Sequence, residues 1–171
     1  MKKINLIFFF IILNNFAYAE GKVVYLDINY LLSESAVGKY VNSNLKKISD
    51  DNIEVYKNFE AELKSDEEKL LTQQNILKKE DYEKKISELR NKFKSYQEKK
   101  NNKNKELNLL RNNAGNKILK SINEIMTEYS KKNSISLVIT KQSIIIGKTE
   151  LDVTNDILEL LNKKITKLEL N

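Results

Sequence analysis

The chain has 171 residues, a formal net charge of +6, and no His, Cys or Pro. Without His or Cys it lacks the usual general base near neutral pH, the soft metal ligands and every thiol or Ser-His nucleophile scheme, so no catalysis, metal or cofactor is expected. Charged residues at 32% and the hydrophobic class at 40% suit a coiled coil carrying a small core, with no interior large enough for an enzyme pocket.

In chain order, Lys2 and Lys3 precede an unbroken apolar stretch at residues 6–13, and Ala17-Tyr18-Ala19 follows as a small-x-small motif. This is the layout of a secretory signal peptide over residues 1–19, with cleavage expected before Glu20. The apolar run is shorter than the roughly 20 residues of a bilayer span, and no Cys follows that could carry a lipid anchor. The remainder is expected to be exported, into the periplasm in a double-membraned bacterium. Lack of Cys fits an oxidising compartment.

Residues 22–28 (Lys-Val-Val-Tyr-Leu-Asp-Ile) form a β-branched run that predicts a strand buried on both faces. The next strand signals come more than a hundred residues later, at 136–140 and 143–146, joined by Lys141-Gln142 as a predicted hairpin. From Asp152 a helix is expected, capped by Asp152 or Thr154, with Val153, Ile157, Leu160, Leu161, Ile165 and Leu168 as its apolar stripe. Together, residues 20–40 and 134–171 make a discontinuous β-rich body. Its expected core is Val23, Val24, Tyr25, Leu26, Ile28, Leu137, Val138, Ile139, Ile144, Ile145 and Ile146. A sheet this small is marginal alone, so a homo-oligomer is expected to complete its burial.

Between the two parts of the body, residues 41–133 contain no Pro and one glycine, Gly115. Tyr82, Ile86, Leu89, Phe93 and Tyr96 recur at alternating intervals of four and three, the a/d seam of a coiled coil. Leu45, Ile48, Val55, Phe59, Leu63 and Leu70 supply the facing seam. The predicted fold is therefore α+β: a long antiparallel helical hairpin projecting from a small β body. Strand one can meet the later strands only if the arm goes out and returns. The turn is expected near residues 77–79, although residues 75–81 hold neither Gly nor Pro and leave one continuous helix open. Lys100 and Lys103 fall where apolar seam residues belong, so a bend is expected within 99–108.

Residues 50–68 hold eight acids against Lys57 and Lys64, and residues 88–106 hold seven bases against Glu88, Glu98 and Glu106. Folded together, these stretches neutralise each other and fix the pairing. Bases left over lie near the root (Lys39, Lys46, Lys47, Lys117, Lys120) and near the tip (Lys69, Lys78, Lys79, Lys84, Lys85). The tip set, with Ile76, Leu77 and Tyr82, is the candidate surface for an acidic client or an anionic membrane.

Residues 24–29 (Val-Tyr-Leu-Asp-Ile-Asn) with Leu32, Glu34-Ser35 and Gly38-Lys39 resemble the opening of the OmpH/Skp family of periplasmic chaperones. Leu137-Val138-Ile139, the Asp152-Val153-Thr154-Asn155-Asp156-Ile157-Leu158 run and Leu161-Asn162 resemble its close. Ala36 stands where Pro is often found. The resemblance implies a trimer whose strands build one barrel-like body and whose three arms enclose a cavity. It implies an ATP-independent holdase for unfolded outer-membrane β-barrel proteins, and no enzyme. The competing assignment, a periplasmic coiled-coil adaptor or structural protein of an envelope or secretion complex, would need flanking β-rich domains for which little chain remains. Export argues against a nucleic-acid partner.

Overall fold

The computed structural model describes residues 21–170; the expected signal peptide lies outside them. The order is β1 (Lys22–Leu26), α1 (Ile28–Glu34), α2 (Ala36–Gln73), α3 (Lys79–Lys132), β2 (Ile135–Thr140) and α4 (Thr154–Lys164). At 1.5 Å per residue the 38 residues of α2 reach about 57 Å and the 54 of α3 about 80 Å. They are antiparallel limbs of one hairpin, joined by a turn at residues 74–78 rather than at 77–79. Lys78, in extended conformation, starts the return limb, and Glu80 and Asp81 favour that helix end electrostatically.

The hairpin carries its strands into register: β1 and β2 pair in parallel, with Val23 opposite Leu137, Val24 opposite Val138 and Tyr25 opposite Ile139. Val24 and Leu26 face the helices and are buried, whereas Val23 on the opposite face is 44% exposed. Tyr25, on the same outer face as Val23, is 9% exposed, so that face of strand one is covered in part, and the strand stops before Ile28. Asp27 accepts a hydrogen bond from the Tyr30 amide and caps α1 instead, so Ile28 is the first residue of a helix.

The predicted strand at 143–146 does not form. After β2 a 3-10 turn (Lys141–Ser143) redirects the chain, and Ile144 N bonds back to Lys141 O at 3.1 Å. The chain then crosses the outer sheet face, where Tyr25 Oη donates to the Lys148 carbonyl at 3.2 Å. It reaches the far edge of β1 at Asp152, bridged to Tyr25. The Lys141-Gln142 turn cannot close a hairpin because the chain must cross to that edge.

The core is where the arm's root meets α1 and α4. Leu31, Val37, Val41 and Leu45 pack with Ala114, Ile118, Ile122, Ile125 and Met126, and with Val153, Ile157 and Leu161 of α4. Ser35 is buried and caps α2 through the Gly38 amide at 3.1 Å. A Cβ at Gly38 would sit 2.2 Å from the Leu32 carbonyl oxygen, so the elbow between α1 and α2 requires glycine. Helix α4 braces both limbs. Asn162 Oδ1 accepts from the Ala36 amide at 2.7 Å, Lys164 pairs with Glu124 at 2.7 Å, and Tyr129 Oη donates to Asp156. Burial and the Asp156 carboxylate push the Tyr129 phenol up to about 12. The expected α4 stripe is cut short: the helix ends at Lys164, and Ile165 and Leu168 belong to a non-helical tail. Asp152 accepts from the Thr154 amide at 3.0 Å, so it supports the helix start from two residues upstream.

Candidate functional site

Along the limbs the observed seam runs Leu45, Ile48, Asn52, Tyr56, Phe59, Leu63, Asp66, Leu70, Gln73 and Leu77, in steps of three and four. All of them are half-buried or better. Val55, assigned to the seam from sequence, is 58% exposed; Tyr56 takes its place, so Ile48, Asn52 and Tyr56 stand four and four apart and the seam shifts by one residue before Leu63 and Leu70 continue the new row. Phe93 holds a seam register yet is 53% exposed. Three polar residues therefore interrupt the outbound seam.

The return limb answers them. Asp66 and Glu62 accept from Lys92 Nζ at 2.6 and 3.2 Å, and Glu60 pairs with Lys100 at 3.3 Å. These are the pairings expected between the acidic and basic stretches. The Lys92 hydrogen bond holds the Asp66 carboxyl below its ordinary range, and the Asp66 and Glu62 bonds hold Lys92 above its own.

Midway along the arm, Tyr96 is its one fully buried side chain between the root and the tip among the described residues. Phe59 stacks on it with centroids 5.9 Å apart, and Tyr56 meets it edge-on at 6.3 Å. Tyr96 Oη donates to Glu60, and Lys100 Nζ donates to Tyr96 Oη at 2.9 Å. The Lys100 ammonium also lies 5.5 Å from the Tyr56 ring centroid and 5.3 Å from that of Tyr96. Lys100 therefore occupies its seam position as part of a knot. The Tyr96 hydroxyl first and the Lys100 ammonium second hold the Glu60 carboxyl below its ordinary range. Helix α3 runs unbroken through 99–108.

At the tip, Ile76 is the apex and 79% exposed. Leu77 and Tyr82 are half-buried, and Lys69, Lys78, Lys79, Lys84 and Lys85 are exposed. The fold brings Lys69 and Lys85 to opposite sides of a 210 Å³ recess between the limbs. Lys85 donates to Gln73 Oε1 at 2.7 Å, and Lys79 lies 4.0 Å from Glu83. At the root, Lys39 pairs with Glu34 at 3.0 Å and Lys46 with Asp50 at 2.7 Å, so part of the expected root charge is neutralised.

A second surface is the outer sheet face. Val23, Leu137, Ile145 and Ile146 are 44, 52, 104 and 91% exposed there, beside Ile139 and Ile144. Beta-two pairs with β1 alone, leaving its other edge unpaired among the described residues. Sequence patterning marked these residues as core and expected their burial to be completed outside the single chain; in this chain they lie open. No helix among the described residues is long and apolar enough to cross a membrane.

Residues 22–161 match the family of outer membrane proteins called OmpH-like. No curated protein matches the chain. Among solved structures, the chain is similar to a candidate outer membrane chaperone (OmpH-like) from Caulobacter crescentus CB15. The two are 17% identical with a TM-score of 0.80, over 88% of this chain and 89% of that one.

Proposed function

The chain belongs to the family of OmpH-like outer membrane proteins, and we propose that it is an ATP-independent holdase chaperone for unfolded outer-membrane β-barrel proteins. The observation that carries this reading is the arm itself. It projects tens of ångströms with a half-buried, polar-interrupted seam and offers scattered exposed apolar residues, Ile53, Val55, Leu71, Ile76, Phe93 and Leu109. Such a surface makes many weak contacts with an unfolded chain and no strong one. Several arms acting together raise those contacts to useful affinity while keeping clients apart.

The exposed sheet face and the open edge of β2 support a homo-oligomer, and the family resemblance supports a trimer in which three arms enclose the client. The signal-peptide pattern at residues 1–19 supports a periplasmic location. Residues 20–40 and 134–171 would then be the oligomerisation body and 41–133 the client-holding arm. The tip lysines, with Ile76, Leu77 and Tyr82, would then meet an acidic client segment or an anionic membrane surface.

The test is light scattering after dilution of a urea-unfolded outer-membrane barrel protein into nucleotide-free buffer, with and without residues 20–171. Suppression near one oligomer per client is expected. Unchanged aggregation would exclude the holdase reading.

A further inference from the structure

Residues 165–170 lie beyond α4 and beyond the family match, which ends at residue 161. Ile165 is extended, at φ −149° and ψ 129°. Leu168 and Leu170 turn inward onto the root core while Lys167 and Glu169 stay exposed. Four residues thus alternate out and in, as a strand with one apolar face does.

This segment lies along Tyr40, Asn44 and Ile48, which recur every four residues on one side of α2. From α3, Lys117 Nζ donates to the main-chain carbonyl of Glu169 at 3.3 Å. Among the described residues, no backbone-to-backbone hydrogen bond holds 166–170. Ile165, Leu168 and Leu170 on the root core and Lys117 on the Glu169 carbonyl are among the contacts that hold the tail, and the entropy of ordering six residues opposes them. Between Tyr40, Asn44 and Ile48 on one side and Leu168, Glu169 and Leu170 on the other lies about 420 Å³ of open volume, so the tail forms one wall of the groove and does not fill it.

We propose that this groove at the arm's root is a binding site for an extended polypeptide segment with alternating apolar side chains, and that the chain's own tail is its displaceable plug. The tail shows the required chemistry. Leucines at every second position enter beside Tyr40 and Ile48, and Lys117 takes a main-chain carbonyl, which every peptide offers. Recognition is therefore tolerant of sequence but demands the period of a β-strand. The inference rests on the client-holding reading and assigns it a specific site.

A fluorescent ten-residue peptide with leucine at alternate positions and lysine or glutamate between them is the probe, read by anisotropy. Removing a plug that closes the site about nine-tenths of the time raises apparent affinity about tenfold. The double variant Leu168→Ser and Leu170→Ser is accordingly expected to bind the peptide three- to tenfold tighter than the parent chain. Equal or weaker binding by a variant with parental helicity and mass would overturn the proposal.

A second measurement keeps the parent fold. The chain has no cysteine, so Leu170→Cys gives a single thiol whose maleimide labelling should quicken on saturation with peptide. An unchanged labelling rate overturns the proposal. If the peptide displaces the tail but aggregation is not suppressed, the groove stands and the holdase reading falls. If clients are held while the tail stays in place, the holdase reading stands and the groove falls.

Discussion

Tyr56 and Tyr96 sit in the same aromatic knot with opposite polar fates. The Tyr96 hydroxyl donates to Glu60 and accepts from Lys100, whereas the Tyr56 hydroxyl is buried without a hydrogen-bond partner among the described residues. A satisfied hydroxyl stabilises modestly and an unsatisfied one costs about 1–3 kcal/mol. Tyr96→Phe should therefore lower arm stability by about 1 kcal/mol, and Tyr56→Phe should leave it unchanged or raise it by about the same amount. Urea titration followed by ellipticity separates the two. Asp152 supplies a pH test. Burial pushes its carboxyl up, but the Thr154 hydroxyl, the Lys141 ammonium at 3.0 Å and the Thr154 amide together outweigh burial and leave it below the ordinary aspartate value of 3.8. A depressed carboxylate stabilises the fold above its unfolded value and loses that contribution as pH falls through the folded one. Asp152's contribution to the body should be intact from neutrality down to about pH 5 and fall away below about pH 4. Asp152→Asn should be weaker at pH 7 and show a shallower acid limb, checked by thermal melts across that range.

Among elements, the two glycines of the long helices have opposite surroundings. Gly38 sits at the elbow where α1 turns into α2, its missing Cβ directed at the Leu32 carbonyl, while nothing lies within 4 Å of where a Cβ on Gly115 would be. Gly38→Ala must move backbone, for which overpacking costs of about 1–3 kcal/mol are the lower guide. Gly115→Ala removes the helix penalty of glycine and should add about 0.5–1 kcal/mol. Denaturant midpoints moving in opposite directions would check both. The arm was legible because a 3.5-residue period over ninety residues has one physical meaning. Ser35 and Gly38 were legible as the turn into it. Three isoleucines at 144–146 announce burial but not the partner, and their segment is bent by the need to reach the far edge of β1. Ile28 follows a strand-like run, yet Asp27 before it ends the strand by capping a helix. Lys100 looked like a break in the seam, and only Glu60 and the Tyr56 ring, some forty residues away, together with Tyr96 four residues back, make that position favourable for an ammonium. The tail's alternation at 167–170 was masked because Ile165 and Leu168 also continue the α4 spacing.

For the molecule as a whole, the sheet sets the demand. Two parallel strands with helices on one face leave Val23, Leu137, Ile145 and Ile146 in solvent beside an unpaired edge, a combination that soluble proteins cover. Another copy of the same face is the cover that the proposed homo-oligomer would supply. Leu137→Ser with Ile145→Ser touches neither the arm nor the buried root cluster, so helical ellipticity should be kept while mass by multi-angle light scattering falls to that of one chain. Retention of the oligomeric mass would show that this face is not the interface. The same variant tests whether holding needs several arms. Each arm offers isolated apolar side chains and open recesses that do not enclose a client, so a client bound to one arm is released quickly, while a client among several arms meets a local concentration that multiplies the affinity by about 10²–10⁴. The separated chains, supplied at equal mass, should therefore fail to suppress client aggregation at concentrations where the assembled protein succeeds. They should recover only when their concentration is raised by about two orders of magnitude or more.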